Sequence, residues 1–230
     1  MNDAIRPSRL DHVALWVSGR DALAGFLCDH LGMHEIERTE RFTLVGADAR
    51  LGKITLFAAE GSRHPGPLRR VVLRVHDLGR AVAALPDGLP RERGDGVVRF
   101  EGPEGLGLGL TEGSATTDYD IDHVVLAVPD PERAAEELGR LGFARRDGRL
   151  SVADKHVRLE PGPAHDSPRP LLNHLALLVD SAEALQRAVE RQGLEIAEIV
   201  DAPNTLAVFV EGPDGIRLEY VEHKPGFSLT

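Results

Sequence analysis

Four stretches of the chain repeat one arrangement of apolar and polar positions: LDHVALWV (10–17), LRRVVLRV (68–75), IDHVVLAV (121–128) and LNHLALLV (172–179). Each is a short, partly β-branched apolar run bounded by polar or turn residues, which predicts a strand. A helical pattern follows each one. After the third strand Asp130 can cap and Pro131 suits the first turn, with Ala134, Leu138 and Leu141 on one stripe. After the fourth, Leu185, Ala188 and Val189 form the stripe behind a Ser181 or Asp180 cap. The first has Leu23, Phe26 and Leu27, and the second, around Leu78–Leu85, is short and weak. Gly32, Gly142 and Gly193 fit left-handed helix stops. Further strands are predicted at 42–46 and 51–58, 96–101 and 106–111, 149–153 and 156–160, and 195–200, 206–211 and 216–221.

Two hairpins share a pattern, EGPEGLGLGL (101–110) and EGPDGIRLEY (211–220). In the second, Ile216, Leu218 and Tyr220 face one way and Arg217 and Glu219 the other. Gly109 stands where the second copy has Glu219. The repeat unit is βαβββ, used four times. One such unit cannot bury both faces of its sheet, so units must pair. The expected fold is α+β, with four modules paired into two domains. Each domain is a curved mixed sheet enclosing a cavity, with helices outside. Linkers at 61–67 and 161–170 join modules within each half, and GSATTD (113–118) joins the halves. This places the domains at 1–113 (modules 1 and 2) and 118–230 (modules 3 and 4).

Lys and Arg number 27 against 37 Asp and Glu, a net charge of −10, which argues against nucleic-acid or anionic-membrane partners. No apolar run approaches the roughly 20 residues of a membrane span, and the N-terminal residues show no signal-peptide pattern. Cys28, the single cysteine, excludes an internal disulfide or a Cys-based zinc cluster. The reading is a soluble, cytoplasmic protein.

The fourfold βαβββ pattern, with His at the first strand and Glu on the last, resembles the vicinal oxygen chelate superfamily of glyoxalase I, epimerases, bleomycin-resistance proteins and type I extradiol dioxygenases. The resemblance implies metal ligands at the start of a module's first strand and on its last strand. Those positions are His12, Arg70, His123 and His174, then Phe57, Gly109, Glu160 and Glu219. Arg, Phe and Gly cannot ligate, so the N-terminal half is expected to bind no metal, with His12 an ordinary hydrogen-bonded strand-start histidine. The expected ligands are His123, His174 and Glu219, with Glu160 an optional fourth.

Two histidines and a carboxylate match the facial triad of Fe(II) oxygenases. His156, in ADKH, matches the catalytic histidine of extradiol enzymes as a general acid–base. This implies a dioxygenase-like enzyme using Fe(II) or Mn(II), on a small-molecule substrate that chelates the metal through two adjacent oxygens. Phe209 departs from the family pattern, which has a proton-donating tyrosine there. With Glu160 ligating, the set instead resembles glyoxalase I, a non-redox isomerase or lyase using Zn(II), Ni(II) or Co(II). A metal-free drug-binding protein is the third reading. Assembly as a homo-oligomer stays open.

Overall fold

The structure, a computed structural model, describes residues 4–146, 148–165 and 167–226. Residue 166 of the second predicted linker, and both ends of the predicted domains, lie outside that range.

Each predicted module is present. The first holds β1 (Arg9–Val17), α1 (Arg20–His30), β2 (His34–Arg38), β3 (Phe42–Gly46) and β4 (Lys53–Ala58). The second holds β5 (Leu68–Val75), α2 (Leu78–Ala83), β6 (Arg91–Gly94), β7 (Val97–Glu101) and β8 (Gly107–Glu112). The third holds β9 (Asp120–Val128), α3 (Pro131–Arg140), β10 (Ala144–Arg146), β11 (Arg149–Val152) and β12 (Lys155–Pro161). The fourth holds β13 (Leu172–Leu178), α4 (Ala182–Arg191), β14 (Ile196–Asp201), β15 (Thr205–Glu211) and β16 (Arg217–His223). Asp130 caps α3 and Ser181 caps α4, each accepting from the backbone N–H three residues on.

The strands form two eight-stranded mixed sheets. The first runs β14-β15-β16-β13-β1-β4-β3-β2, and the second β10-β11-β12-β9-β5-β8-β7-β6. Module 1 therefore pairs with module 4, and module 2 with module 3, which corrects the expected pairing of modules within each half. Repeat counting gives the number of modules but not their partners. The polar stretch 113–118, read as the divide between halves, instead connects β8 to β9 within the second sheet. With modules 2 and 3 joined there, the outer modules close on each other.

In each sheet the two modules meet antiparallel through their first strands, β1 with β13 and β5 with β9. All four of these strands carry a bulge at the second residue of the repeat: Asp11, Arg69, Asp122 and Asn173 are skipped in the pairing. The bulge explains the apolar spacing. Leu10 and Val13, three apart, would face opposite ways in a regular strand, yet both belong to the core. Leu15 and Val17 follow on that side, while His12, Ala14 and Trp16 turn to the open face. The same phase puts His174, Arg70 and His123 on the open faces of their sheets.

The helix-facing sides of both sheets drain into one continuous core. Polar ties also cross between sheets. The Glu104 carboxylate, in the turn before β8, accepts from the Ser18 and Gly19 N–H groups at the start of α1, at 2.9 and 2.8 Å. Asp214, at the equivalent turn of module 4, pairs with Arg133 of α3 at 2.6 Å. The buried Tyr220 hydroxyl donates to the Leu141 carbonyl at 2.6 Å. Asp120, also buried, pairs with Lys155 at 2.5 Å while accepting from the Gly52 N–H at 2.8 Å. No helix among the described residues is long and apolar enough to cross a membrane.

Removing Asp120 would strand the Lys155 ammonium, whose side chain is 3% exposed. Asp120→Ala should therefore cost about 3–5 kcal/mol of unfolding free energy in urea titration. A loss near zero would mean that the pair holds nothing together.

Candidate metal centre

On the open face of the first sheet, three side chains converge. Ala14 lies opposite His174, and Ala176 opposite both His12 and Glu219, so all three groups share one face of adjacent strands. His12 Nε2 lies 3.3 Å from His174 Nε2 and 3.3 Å from Glu219 Oε2, and His174 Nε2 lies 3.0 Å from the same oxygen. Glu219 Oε2 is buried and accepts no well-aligned hydrogen bond. Leaving a carboxylate oxygen so placed is costly unless a cation or proton sits between these atoms.

The bulges orient the rings. Asp11 Oδ2 lies 3.0 Å from His12 Nδ1, and Asn173 Oδ1 lies 3.0 Å from His174 Nδ1. An oxygen acceptor at each Nδ1 holds the proton there and turns the Nε2 lone pairs toward Glu219. Lys53 Nζ, buried and 2.7 Å from Asp11 Oδ2, balances the Asp11 charge. Burial alone would lower the His12 pKa, but Asp11 and Glu219 on either side outweigh it and raise it to about 8. His174 moves down, chiefly through burial. Burial opposes ionisation of Glu219, yet the two imidazoles hold its carboxyl well below the ordinary range.

Aromatic rings wall this centre. Phe209 meets His174 edge-on at 5.3 Å, Phe57 lies 6.2 Å from it, and Trp16 and Phe42 pack on Phe57 at 5.5 and 5.7 Å. A neighbouring cavity of about 360 Å³ is lined by Trp16, Arg169, Asn173 and Arg217 among others. Asn173 thus touches both the cavity and a ligand-type histidine.

The four expected ligands are not brought together. His174 and Glu219 meet, but their third partner is His12, which the sequence reading set aside. His123 and His156 lie on the second sheet with Asp122. His123 Nδ1 is 2.6 Å from Asp122 Oδ1, and its ring stacks on His156 at 4.6 Å and 16°. His123 and His156, expected as a ligand and as the acid–base group beside Glu219, therefore stand on the other sheet.

Glu160 belongs to neither cluster, and the register gives the reason. Glu219 pairs with Ala176, two residues beyond His174. The residue two beyond His123 is Val125, which pairs with Arg158, whereas Glu160 pairs with Ala127. Matching RLE to RLE in sequence slips the comparison by two. By the same register Thr55, not Phe57, is the module 1 counterpart of Glu219. His12 had a legible signal, since Asp11-His12, Asp122-His123 and Asn173-His174 are the same polar–His pair.

Two eight-stranded βαβββ sheets with a His–His–carboxylate cluster on an open face define a class of small-molecule-binding, mostly enzymatic proteins. The chain belongs to the Glyoxalase/Bleomycin resistance protein/Dioxygenase superfamily, whose sequence profile matches residues 9–105 and 120–220. Members of this superfamily bind divalent metals and act on small molecules. No curated protein is significantly similar in sequence. Among solved structures, a Bacillus subtilis protein provisionally described as a dioxygenase superposes with a TM-score of 0.81 at 18% identity, covering 97% of this chain and 87% of that one. Glyoxalase I from Zea mays superposes with a TM-score of 0.74 at 18% identity, covering 93% and 92%. The CppA protein of Streptococcus pneumoniae gives 0.67 at 16% identity, covering 94% and 98%. At these identities the likeness is one of fold.

On the second sheet, burial and the adjacent His123 push the His156 pKa down from 6.5 to about 4. A histidine depressed in the folded state favours folding fully above its unfolded value, and that contribution is lost as pH falls from about 6.5 toward about 4. Urea titrations across this window should show wild type losing stability relative to His156→Gln. A gap that stays constant with pH would refute the burial of a neutral His156.

Proposed function

We propose that this chain is a metal-dependent enzyme in which His12, His174 and Glu219 hold one divalent cation, Fe(II) or Mn(II), for a dioxygenase-like reaction. Its substrate is a small molecule offering two adjacent oxygens. The observation that carries the reading is the buried Glu219 Oε2, within 3.3 Å of two imidazole nitrogens and accepting no well-aligned hydrogen bond. Three groups whose lone pairs point at one spot fit a cation better than they fit one another. Two imidazoles and one carboxylate form a set that leaves coordination positions open. The separation of Glu160 from the cluster favours this three-ligand reading over the four-ligand, non-redox one.

When bound, such an ion supplies Lewis acidity toward substrate oxygens and, as Fe(II), electrons for O₂. The chain's own residues do the positioning. Asp11 and Asn173 hold the imidazoles in one tautomer and orientation. Lys53 neutralises Asp11, which leaves the Glu219 carboxylate beside the two imidazoles, and both rings would ligate a cation in their neutral form. With a dication the centre carries a net positive charge, which suits a singly deprotonated diol or enol. Trp16, Phe57 and Phe209 keep water from the centre and offer flat faces to a planar substrate. Phe209 has no proton to give, and His156, the acid–base candidate of the sequence reading, lies on the other sheet.

Metal analysis should find roughly one divalent ion per wild-type chain and a large loss in His174→Ala and Glu219→Gln. Undiminished occupancy in both variants would sink the ligand assignment. Asp11→Asn should weaken metal affinity by roughly 10–100-fold. Oxygen uptake with a panel of catechols tests the reaction. Turnover of a hemithioacetal without oxygen uptake would move the reading to an isomerase.

A further inference from the structure

The strand registers let the two sheets be compared residue by residue. His12 corresponds to His123, but His174 corresponds to Arg70, across the same antiparallel pairing. Glu219, opposite Ala176, corresponds to Gly109, opposite Val72. Thr55, opposite Ala14, corresponds to Arg158, opposite Val125. Phe209, the neighbour of Glu219 on β15, corresponds to Arg99, the neighbour of Gly109 on β7.

The positions that draw a cation to the first sheet are thus inverted on the second. The carboxylate is gone: Arg70 and Arg99 flank its place from the neighbouring strands, and Arg158 stands on the same face across β9 from Arg70. A Cβ at Gly109 would come within 2.9 Å of Val97 Cγ1 and 3.1 Å of Arg70 Cδ, so the Arg70 stem lies where a side chain would otherwise begin. This concentration of positive charge occurs in a chain of net charge −10.

The acids nearby do not neutralise it. Arg74 is taken up by Asp122 at 2.7 Å, and Arg99 reaches the exposed Asp95 at 3.2 Å. Glu160 and Glu92 act on Arg70 through space, but among the described residues no carboxylate pairs with Arg70 or Arg158. Burial, then the repulsion of Arg99, pushes the Arg70 guanidinium down, as befits a cation short of a partner. A partly buried guanidinium without an acceptor leaves its donors to a ligand.

We propose that the open face of the second sheet binds a small oxyanion, a carboxylate or a phosphate, between Arg70 and Arg158 with Arg99 at the rim. Arginine's planar fork fits both anions in two-pronged fashion. The site is separate from whatever the first sheet holds.

Calorimetric titration of the full chain at low ionic strength with inorganic phosphate and with malonate tests this. At least one anion should bind saturably, and Arg70→Gln or Arg158→Gln should each weaken binding roughly tenfold. Glu219→Gln should bind as wild type does. Phosphate alone binding names a phosphate ligand, and malonate alone a carboxylate ligand. Phenylglyoxal labelling of wild-type chain, read by peptide mass spectrometry, needs no variant. The bound anion should slow labelling of Arg70 and Arg158 but not of the exposed Arg50. The proposal is overturned if neither anion exceeds sodium chloride at matched ionic strength. It is equally overturned if the variants bind unchanged, or if labelling ignores the anion.

Discussion

A single extra residue in each module's first strand sets the chemistry of both sheets. Without the bulge, Leu10 and His12 would share a face, and burying the leucine would bury the histidine among the helices. With it, the leading leucine or isoleucine enters the core and the third residue turns to the open face. The skipped residue gains a second use, because its side chain lies beside the ring it precedes. Asp11, Asp122 and Asn173 all hold an Nδ1 in this way. One local distortion therefore delivers an imidazole to the open face and fixes its tautomer. Where the motif reads Arg69-Arg70, the same bulge delivers a guanidinium instead.

The nesting of the modules decides which of these residues meet. Because modules 2 and 3 pair with each other, a histidine near the start of the chain faces a glutamate near its end. The first-sheet cluster thus depends on contacts that hold distant parts of the chain in register. Glu104 at the start of α1, Tyr220 on the end of α3 and Asp120 on the Gly52 N–H join the sheets at different points.

The sequence shows the number of modules, their α+β make-up, the helix caps and the polar–His pairs, because these rest on local periodicity and turn chemistry. Edge strands β2, β6 and β10 escape that reading. HEIER, RERG and ARR are short, charged and exposed, as unpaired edges tend to be, and carry little apolar alternation. Module pairing is a global property that four similar strands leave undetermined. That ambiguity alone moved His123 into the expected ligand set and His12 out of it. Glu160 failed for a different reason. HVRLE and IRLEY share three letters, but hydrogen-bond register rather than letter match decides which residue faces a histidine.

The two open faces are built on one repeat and differ in the charged groups they present. On the first, Asp11 is neutralised by Lys53, and the Glu219 carboxylate stands beside two imidazoles. On the second, Asp122 is neutralised by Arg74, and Arg70 and Arg158 are left over, so the face lacks a negative charge. In both, the acid that orients the histidine already has its own basic partner. What remains is set by the counterparts of Glu219 and His174, two positions on neighbouring strands. Exchanging a carboxylate for a glycine and an imidazole for a guanidinium leaves the backbone hydrogen bonds intact, because both positions point away from the core. A duplicated sheet can therefore keep its packing while the charged groups on its open face change.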